Sequence, residues 1–179
     1  MVAFWFDDRM EPVEFGPLTE ELREQLEADE EDPWDAARVP PMNWRPKEQH
    51  VGLRDQRGRL VASAGLITAE VEVAGQRFQV VGLGGVIVNR DHRGEGLSLR
   101  VVEAALAKAA SLGPELALLF CHEDRTDLYR RFGFDEVRSQ VLVDGPRGQV
   151  EMPMHTMWRA LRPTATWPQG PVVLHGRPF

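Results

Sequence analysis

The chain has one cysteine, Cys121, and one tyrosine, Tyr129, among its 179 residues. A lone thiol excludes an internal disulfide framework and fits a reducing compartment, so a cytoplasmic location is expected. The five histidines (His50, His92, His122, His155, His175) are scattered, and none forms an H-x-x-x-H pair. Clustered Cys/His spacing is missing too, so no metal is expected. No apolar run approaches the roughly 20 residues that span a bilayer, which speaks against a membrane-embedded protein. The opening stretch MVAFWFDDRMEP has neither a basic start nor a sustained apolar core, so no secretory leader is expected. Internal repeats and low-complexity tracts are also missing.

What is present is ordinary for a globular protein. Hydrophobic residues make up 42% of the chain, enough for a substantial core. Its length predicts one domain over residues 1–179, with a core at about 12–162 and an extension at 163–179. Net charge is −7, with much of the acid in EELREQLEADEEDPWD, Glu20 to Asp35. Such a run usually forms a solvated helix face and the loop after it. The overall sign argues against a nucleic-acid partner and mildly favours a cationic one.

The pattern of elements points to α/β or α+β with a mixed sheet. PVEFG at 12–16 reads as a short strand. Thr19 reads as a helix N-cap, with Glu20 and Glu21 in the first turn and Leu22 and Leu26 on one face. That helix is expected to end near Asp32-Pro33, since proline disfavours helix in the residue before it. The Pro- and Trp-rich stretch up to Pro46 reads as irregular, with room for a short helix. His50–Arg54, Arg59 to about Val73, and Arg77–Val88 form an antiparallel meander around turns at Asp55–Gly58 and Ala74–Gln76. A helical stripe follows over Leu97–Ser111, closed by Gly113-Pro114. Glu115–Phe120 is a continuous apolar strand of the kind buried on both faces. A short helix over Asp124–Phe132 ends at Gly133, and strands are expected over Asp135–Val143 and Val150–Leu161, before a tail from Pro163.

The most informative stretch is VGLGGVIVNRDHRGEGLSLRVVEAAL, Val81 to Leu106, where an apolar strand passes through a charged turn into a helix. A helix beginning near Gly96 has unsatisfied N–H groups in its first turn and a positive macrodipole end. Glycines at 94 and 96 let a phosphate approach those groups with no Cβ in the way, and Arg93 adds a bidentate charge. A dinucleotide fingerprint would need a third glycine, but Leu99 stands there, and the G-K-[ST] of a P-loop is missing. A plain tight turn with a glycine N-cap explains Gly94 and Gly96 equally well on local grounds.

The surroundings add a resemblance. Val81–Asn89 followed by R-G-E-G-L-S resembles motif A of the GCN5-related N-acetyltransferases, whose turn reads Arg/Gln-x-x-Gly-x-Gly/Ala. Arg93, Gly96 and Ser98 fall on its specified positions, with Ser98 replacing the family's Gly or Ala. DLYRRFGF, Asp127 to Phe134, is similar to the family's motif B, with its helical tyrosine and closing Gly-Phe. A helix and one buried strand separate the two, as in the family, and the resemblance covers roughly Leu53 to Leu161. It implies a mostly antiparallel, twisted sheet flanked by helices, with two strands splayed into an acyl-CoA cleft. Val86, Ile87 and Val88 would pair with the pantetheine arm. The N–H groups of Arg93, Gly94, Glu95, Gly96, Leu97 and Ser98 would hold the diphosphate of acetyl-CoA.

The resemblance implies direct transfer to an amine within a ternary complex, with Tyr129 as general acid for the departing thiolate. Tyr129 also reads simply as a core aromatic. An alkylammonium acceptor must lose a proton first, so a base is required. Glu70 and Glu72 share one side of a strand and are candidates, although a solvent-facing edge explains them as well. His122 follows the buried strand and is a third candidate, with a turn role equally open. Cys121, at the end of a buried strand, reads as packing rather than as a nucleophile.

The R-G turn, the short L-Y helix and the aromatic-ended tail resemble, more weakly, the aminoglycoside 2′-N-acetyltransferases. Gly84 stands where those enzymes carry an acidic residue, and the tail carries His175 and Arg177 rather than acid, so their substrate does not simply carry over. A small-molecule amine is the expected acceptor. A protein lysine or α-amine, or a non-catalytic acyl-CoA-binding role, are the alternatives. Closing strands in such folds often pair across a dimer, which leaves a homodimer open.

Overall fold

The computed structural model describes residues 10–179, so most of the opening stretch read above for a leader lies outside it. The elements run β1 (Glu11–Phe15), α1 (Glu20–Glu27), β2 (Gln49–Arg54), β3 (Leu60–Val73), β4 (Gln76–Val88), α2 (Leu97–Ala109), β5 (Leu116–Cys121) and α3 (Thr126–Arg130). Then come β6 (Asp135–Glu136), β7 (Val141–Gly145), β8 (Gly148–Glu151), β9 (His155–Ala160) and β10 (Val172–His175). Short 3₁₀ turns at Arg90–His92 and Glu123–Arg125 precede α2 and α3.

One mixed sheet carries the order β6-β9-β5-β4-β3-β10-β7-β8, with β2 and β1 added along the first half of β3. The β2-β3-β4 meander is antiparallel as expected, and its long β3–β4 hairpin turns at Ala74-Gly75. Alternation explains its placement: Leu66, Val71, Val73, Val80 and Val81 are fully buried, while Glu70 and Gln79 face out. On one face α2 lays Val101, Val102, Ala105 and Ala109 against Val81, Leu83 and Leu119. On the other, Trp167, Leu174 and Phe179 cover Val80 and Leu118.

Four expectations change. α1 stops at Glu27, where Ala28 takes a left-handed φ of 49°, and the next turn is built instead by the Asp32 carboxylate accepting from the N–H groups of Ala36 and Ala37. The strand expected over 135–143 is cut into β6, which pairs with β9, and β7, which pairs with β8 and β10. The one expected over 150–161 is cut into β8, which pairs with β7, and β9, which pairs with β5 and β6. The tail holds a strand: β10 lies antiparallel to β3 and parallel to β7, burying Val172 and Leu174.

Between β4 and β5 lies the parallel pair that positions the site. They are in register only from Val81–Ala117 to Leu83–Leu119, and beyond that point they part. Gly85, with φ of 59°, marks a register shift between β3 and β4 just past the fork. Residues 84–88 therefore run on with one edge paired to β3 and the other facing a cleft.

Candidate active site

The cleft has a volume of about 1060 Å³ and is bounded by the parted β4, the turn before α2, the end of β5, and α3. Val86, Ile87 and Val88 line it, as do Arg93, Gly94, Gly96, Leu97 and Ser98. Glu95 does not line it, and its carboxylate turns to His92 Nδ1 at 3.3 Å.

The glycine turn has a conformational cause. Gly94 and Gly96 sit at φ of 86° and 76°, where any side chain would be strained, and a Cβ at either would meet nothing within 4 Å. The space is open, so the conformation and not crowding requires glycine there. Gly96 is the N-cap of α2, no side chain caps that helix, and its first turn holds no acid. A 13-residue helix thus presents an uncapped positive end to the cleft. Arg93 is already engaged: its guanidinium makes a bidentate pair with Glu30 at 2.8 and 2.7 Å, and its Nε donates to the Val88 carbonyl at 3.3 Å.

Tyr129, on α3, lines the other wall. It is 9% exposed and packs edge-on against Phe134, ring centroids 5.9 Å apart. Burial, and then the nearby Cys121, push its phenol up to about 12, so it is held as a proton donor at neutral pH. Cys121 is buried, its Sγ 3.7 Å from Met157 Sδ, and burial raises its thiol to about 12. So little thiolate forms that nucleophilic chemistry there is disfavoured. Cys121→Ala is expected to leave acetyl transfer within about twofold of wild type, since thiolate and not thiol is the nucleophile. A thousandfold loss in steady-state turnover would place the sulfur in the reaction.

Of the expected base candidates, the structure brings only His122 to the cleft, where it caps the turn before α3 without a side-chain bond. Glu70 and Glu72 lie toward the far end of the β3–β4 hairpin and do not line the cleft. Arg77 reaches both, at 3.4 and 3.0 Å, and His175 reaches Glu72 at 3.1 Å. Bonds from Arg77 and then His175 hold the Glu72 carboxyl below its usual range.

Sequence reasoning missed the part of the site that folds in from afar. Residues 28–46 line the cleft and are pinned near their start by Glu30 on Arg93 and midway by a bidentate Arg38–Asp124 pair at 3.2 and 3.1 Å. Trp34 and Trp44 come with this segment, and Lys47 and Phe179 enter beside them. Burial lowers the Lys47 ammonium to about 8. No local motif announces any of these, because each depends on contacts dozens of residues away.

The acetyltransferase (GNAT) domain model matches residues 27–137, more than half of the chain and the stretch that carries the whole fork and glycine turn. The chain belongs to the GNAT acetyltransferase family. Among solved GNAT structures, the N-acetyltransferase YhbS from Escherichia coli, in complex with CoA, is 20% identical with a TM-score of 0.60, covering 93% of this chain and 90% of that one. A GNAT acetyltransferase from Brucella melitensis, in complex with acetyl-CoA, is 20% identical with a TM-score of 0.53, covering 93% and 96%. A third, from Staphylococcus aureus, is 13% identical with a TM-score of 0.55, covering 86% and 99%. At these identities the likeness is one of fold. No curated protein matches the chain.

Among the described residues of this GNAT chain, no group of three or more His, Cys, Asp and Glu is placed to hold a metal ion. Among the described residues, no helix is long and apolar enough to cross a membrane.

Proposed function

We propose that this protein binds acetyl-CoA in the fork and transfers its acetyl group directly to a primary amine of a small molecule. The observation that carries the reading is the convergence, in one cleft, of an uncapped helix end, a free β4 edge and a buried phenol. Open space at Gly94 and Gly96 fits a diphosphate, with Arg93 beside it. The β4 edge at Val86, Ile87 and Val88 suits a pantetheine arm, and its N–H groups are the donors available to an acyl carbonyl oxygen. When bound, acetyl-CoA supplies an activated thioester. Tyr129 holds the proton that a leaving thiolate needs.

A small acceptor is supported by the tail. Phe179 folds back into the cleft, packs at a tilt against Phe120 with ring centroids 5.0 Å apart, and with Trp34 and Trp44 lines an aromatic wall beside the fork. That wall narrows the acceptor side where an extended peptide would need an open groove.

Acetyl-CoA-dependent thiol release across aminoglycosides, polyamines and lysine peptides tests this, in a Cys121→Ala background that keeps the protein's own thiol silent. Release with a small amine supports the reading, and release with peptides alone overturns the acceptor assignment. Arg93→Ala is expected to weaken acetyl-CoA binding by about 10- to 100-fold, the worth of a charged hydrogen-bonded contact of ~1.5–3 kcal/mol. Glu30→Gln should act in the opposite direction, because Glu30 competes with the diphosphate for the same guanidinium. Calorimetric titration with CoA checks both, and unchanged affinity in the Arg93 variant would remove it from the cradle.

A further inference from the structure

We propose that Lys47 is the general base of this enzyme: its Nζ, as a neutral amine, takes the proton from the acceptor ammonium. The inference rests on the acetyl-transfer reading above and names the group which that reading leaves unfilled.

Composition gives the first reason. The chain carries 21 lysines and arginines, and only Lys47 and Lys108 are lysines. Lys108 forms an ion pair with Glu14 at 2.6 Å on the surface. Everywhere else the chain uses arginine, which does not give up its proton in proteins, whereas lysine readily does when desolvated. A cation needed only for its charge is supplied here as arginine by habit, so the one lysine in the cleft stands out.

The second reason is a built trough. Gly65 on β3 and Gly84 on β4 are register partners across the hairpin, and the Lys47 stem lies over both. A Cβ at Gly65 would come within 2.7 Å of Lys47 Cβ, and one at Gly84 within 2.9 Å of Cε and 3.3 Å of Nζ. The main chain on either side is tied down, Arg45 N–H donating to the Pro178 carbonyl at 2.6 Å and Glu48 N–H to the Leu66 carbonyl at 3.1 Å. Two glycines thus clear a path that delivers Nζ to the first β4 residue past the fork, in the same cleft as Tyr129.

Burial favours the neutral amine, against a weak pull toward the ammonium from the Phe179 ring. Facing Lys47 are His50 from β2, the backbone of Gly65 and Gly84, and Phe179, whose ring centroid is 6.0 Å from Nζ. His50 Nδ1 contacts the Gly16 carbonyl at 2.7 Å, and burial lowers its pKa below the usual 6.5, with Lys47 and Arg23 adding to that shift. The cleft carboxylates are engaged elsewhere: Glu30 on Arg93, Asp32 on the Ala36 and Ala37 N–H groups, Asp35 on Arg38. Desolvation by burial is what brings Lys47 to about 8.

The protons balance. Lys47 takes one proton from the acceptor ammonium and later returns it to solvent. As the amine nitrogen bonds to the acetyl carbon and the C–S bond breaks, the nitrogen loses its second proton. The thiolate gains one from Tyr129, which is restored from that nitrogen directly or through water.

Two lysines make the test clean. In wild-type protein carrying ¹³C,¹⁵N-lysine, NMR shows two side-chain signals, assigned by comparison with Lys47→Arg. Lys47 is expected to titrate near 8. A Lys47 midpoint near the ordinary ~10.4 would overturn the proposal without reference to activity. Lys47→Arg and Lys47→Met should each lose about 10²-fold in kcat at pH 8, the size of a general-base contribution. Acetyl-CoA affinity and melting temperature should stay close to wild type, and the rising limb of the wild-type pH–rate profile should sit near 8. Retained activity in Lys47→Arg with loss in Lys47→Met would mean that the ammonium holds an anionic group of the acceptor, and would sink the base. Acetylation of Lys47 itself, seen by mass spectrometry after incubation with acetyl-CoA, would make it an acceptor and do the same. Should acetyl-CoA fail to bind the wild-type protein at all, the acetyl-transfer reading falls, while the NMR titration still decides the state of Lys47. If the arginine does not fit the trough and that variant fails to fold, Lys47→Met assigns the signals and the wild-type titration stands.

Discussion

Tyr129→Phe is expected to lower kcat by roughly 10²- to 10³-fold, the range of a positioned general acid, while acetyl-CoA affinity stays within about twofold. The asymmetry follows from where the hydroxyl sits. The ring supplies the packing against Phe134, and phenylalanine keeps that contact, so the fold and the donor site should be unaffected. Only the proton is lost. Because burial holds the phenol near 12, Tyr129 stays protonated over the whole working range, and its ionisation should put no limb on the pH–rate profile below about pH 11. Stability carries a second signature. The phenol is raised from 10.0 to about 12 in the folded protein, so between those values the unfolded chain releases its proton first. Wild-type stability should therefore fall as pH rises through that window, and the phenylalanine variant should lack the slope. Stopped-flow turnover and alkaline denaturation read the two effects separately. An unchanged kcat would take Tyr129 out of the chemistry and leave it as a core aromatic.

Phe134→Ala should be the most damaging single truncation near the site, costing about 3–5 kcal/mol. Its side chain is 1% exposed and is among the largest that are fully buried. It follows Gly133, whose φ of 76° turns the chain back, and its N–H donates to the Tyr129 carbonyl at 3.2 Å. Removing the ring leaves a cavity under Tyr129 as well as losing buried apolar area. For a chain of this size the melting temperature should drop by roughly 6–20 °C. Since α3 is one short turn whose Tyr129 packs on this ring, kcat should fall further than acetyl-CoA affinity. Thermal unfolding with and without CoA checks the cost. A loss under 1 kcal/mol would mean that other contacts hold α3.

The parts of this protein that were legible in sequence are those with a local cause. The β4–turn–α2 unit was legible because an apolar strand, two glycines needing left-handed φ, and a helical stripe follow each other within one short stretch. The meander was legible for the same reason, through its alternation and turn residues. Motif B was legible as a tyrosine before a Gly-Phe stop. Boundaries failed where a distant partner intervened. α1 ends early where Ala28 turns left-handed and Asp32 nucleates a competing turn, and the tail becomes a strand only because β3 and β7 leave a place between them for Val172 and Leu174.

The same division runs through the site. The amino-acid sequence by itself carried the family resemblance, which implied the fork, and the glycine turn at the start of α2, whose backbone conformation needs only near neighbours. It proposed Glu70 and Glu72 because alternation put them on one side of a strand. Whether that stretch of β3 reached the cleft depended on where the hairpin met β5, and it lies far down the hairpin, paired to Arg77 and His175. Only tertiary structure decided that Glu30 holds Arg93, that Phe179 returns to the fork, and that Lys47 lies across Gly65 and Gly84. Each is a side chain brought across many residues into new surroundings. The chemistry of an amine or a guanidinium is set by those surroundings and not by its neighbours in the chain.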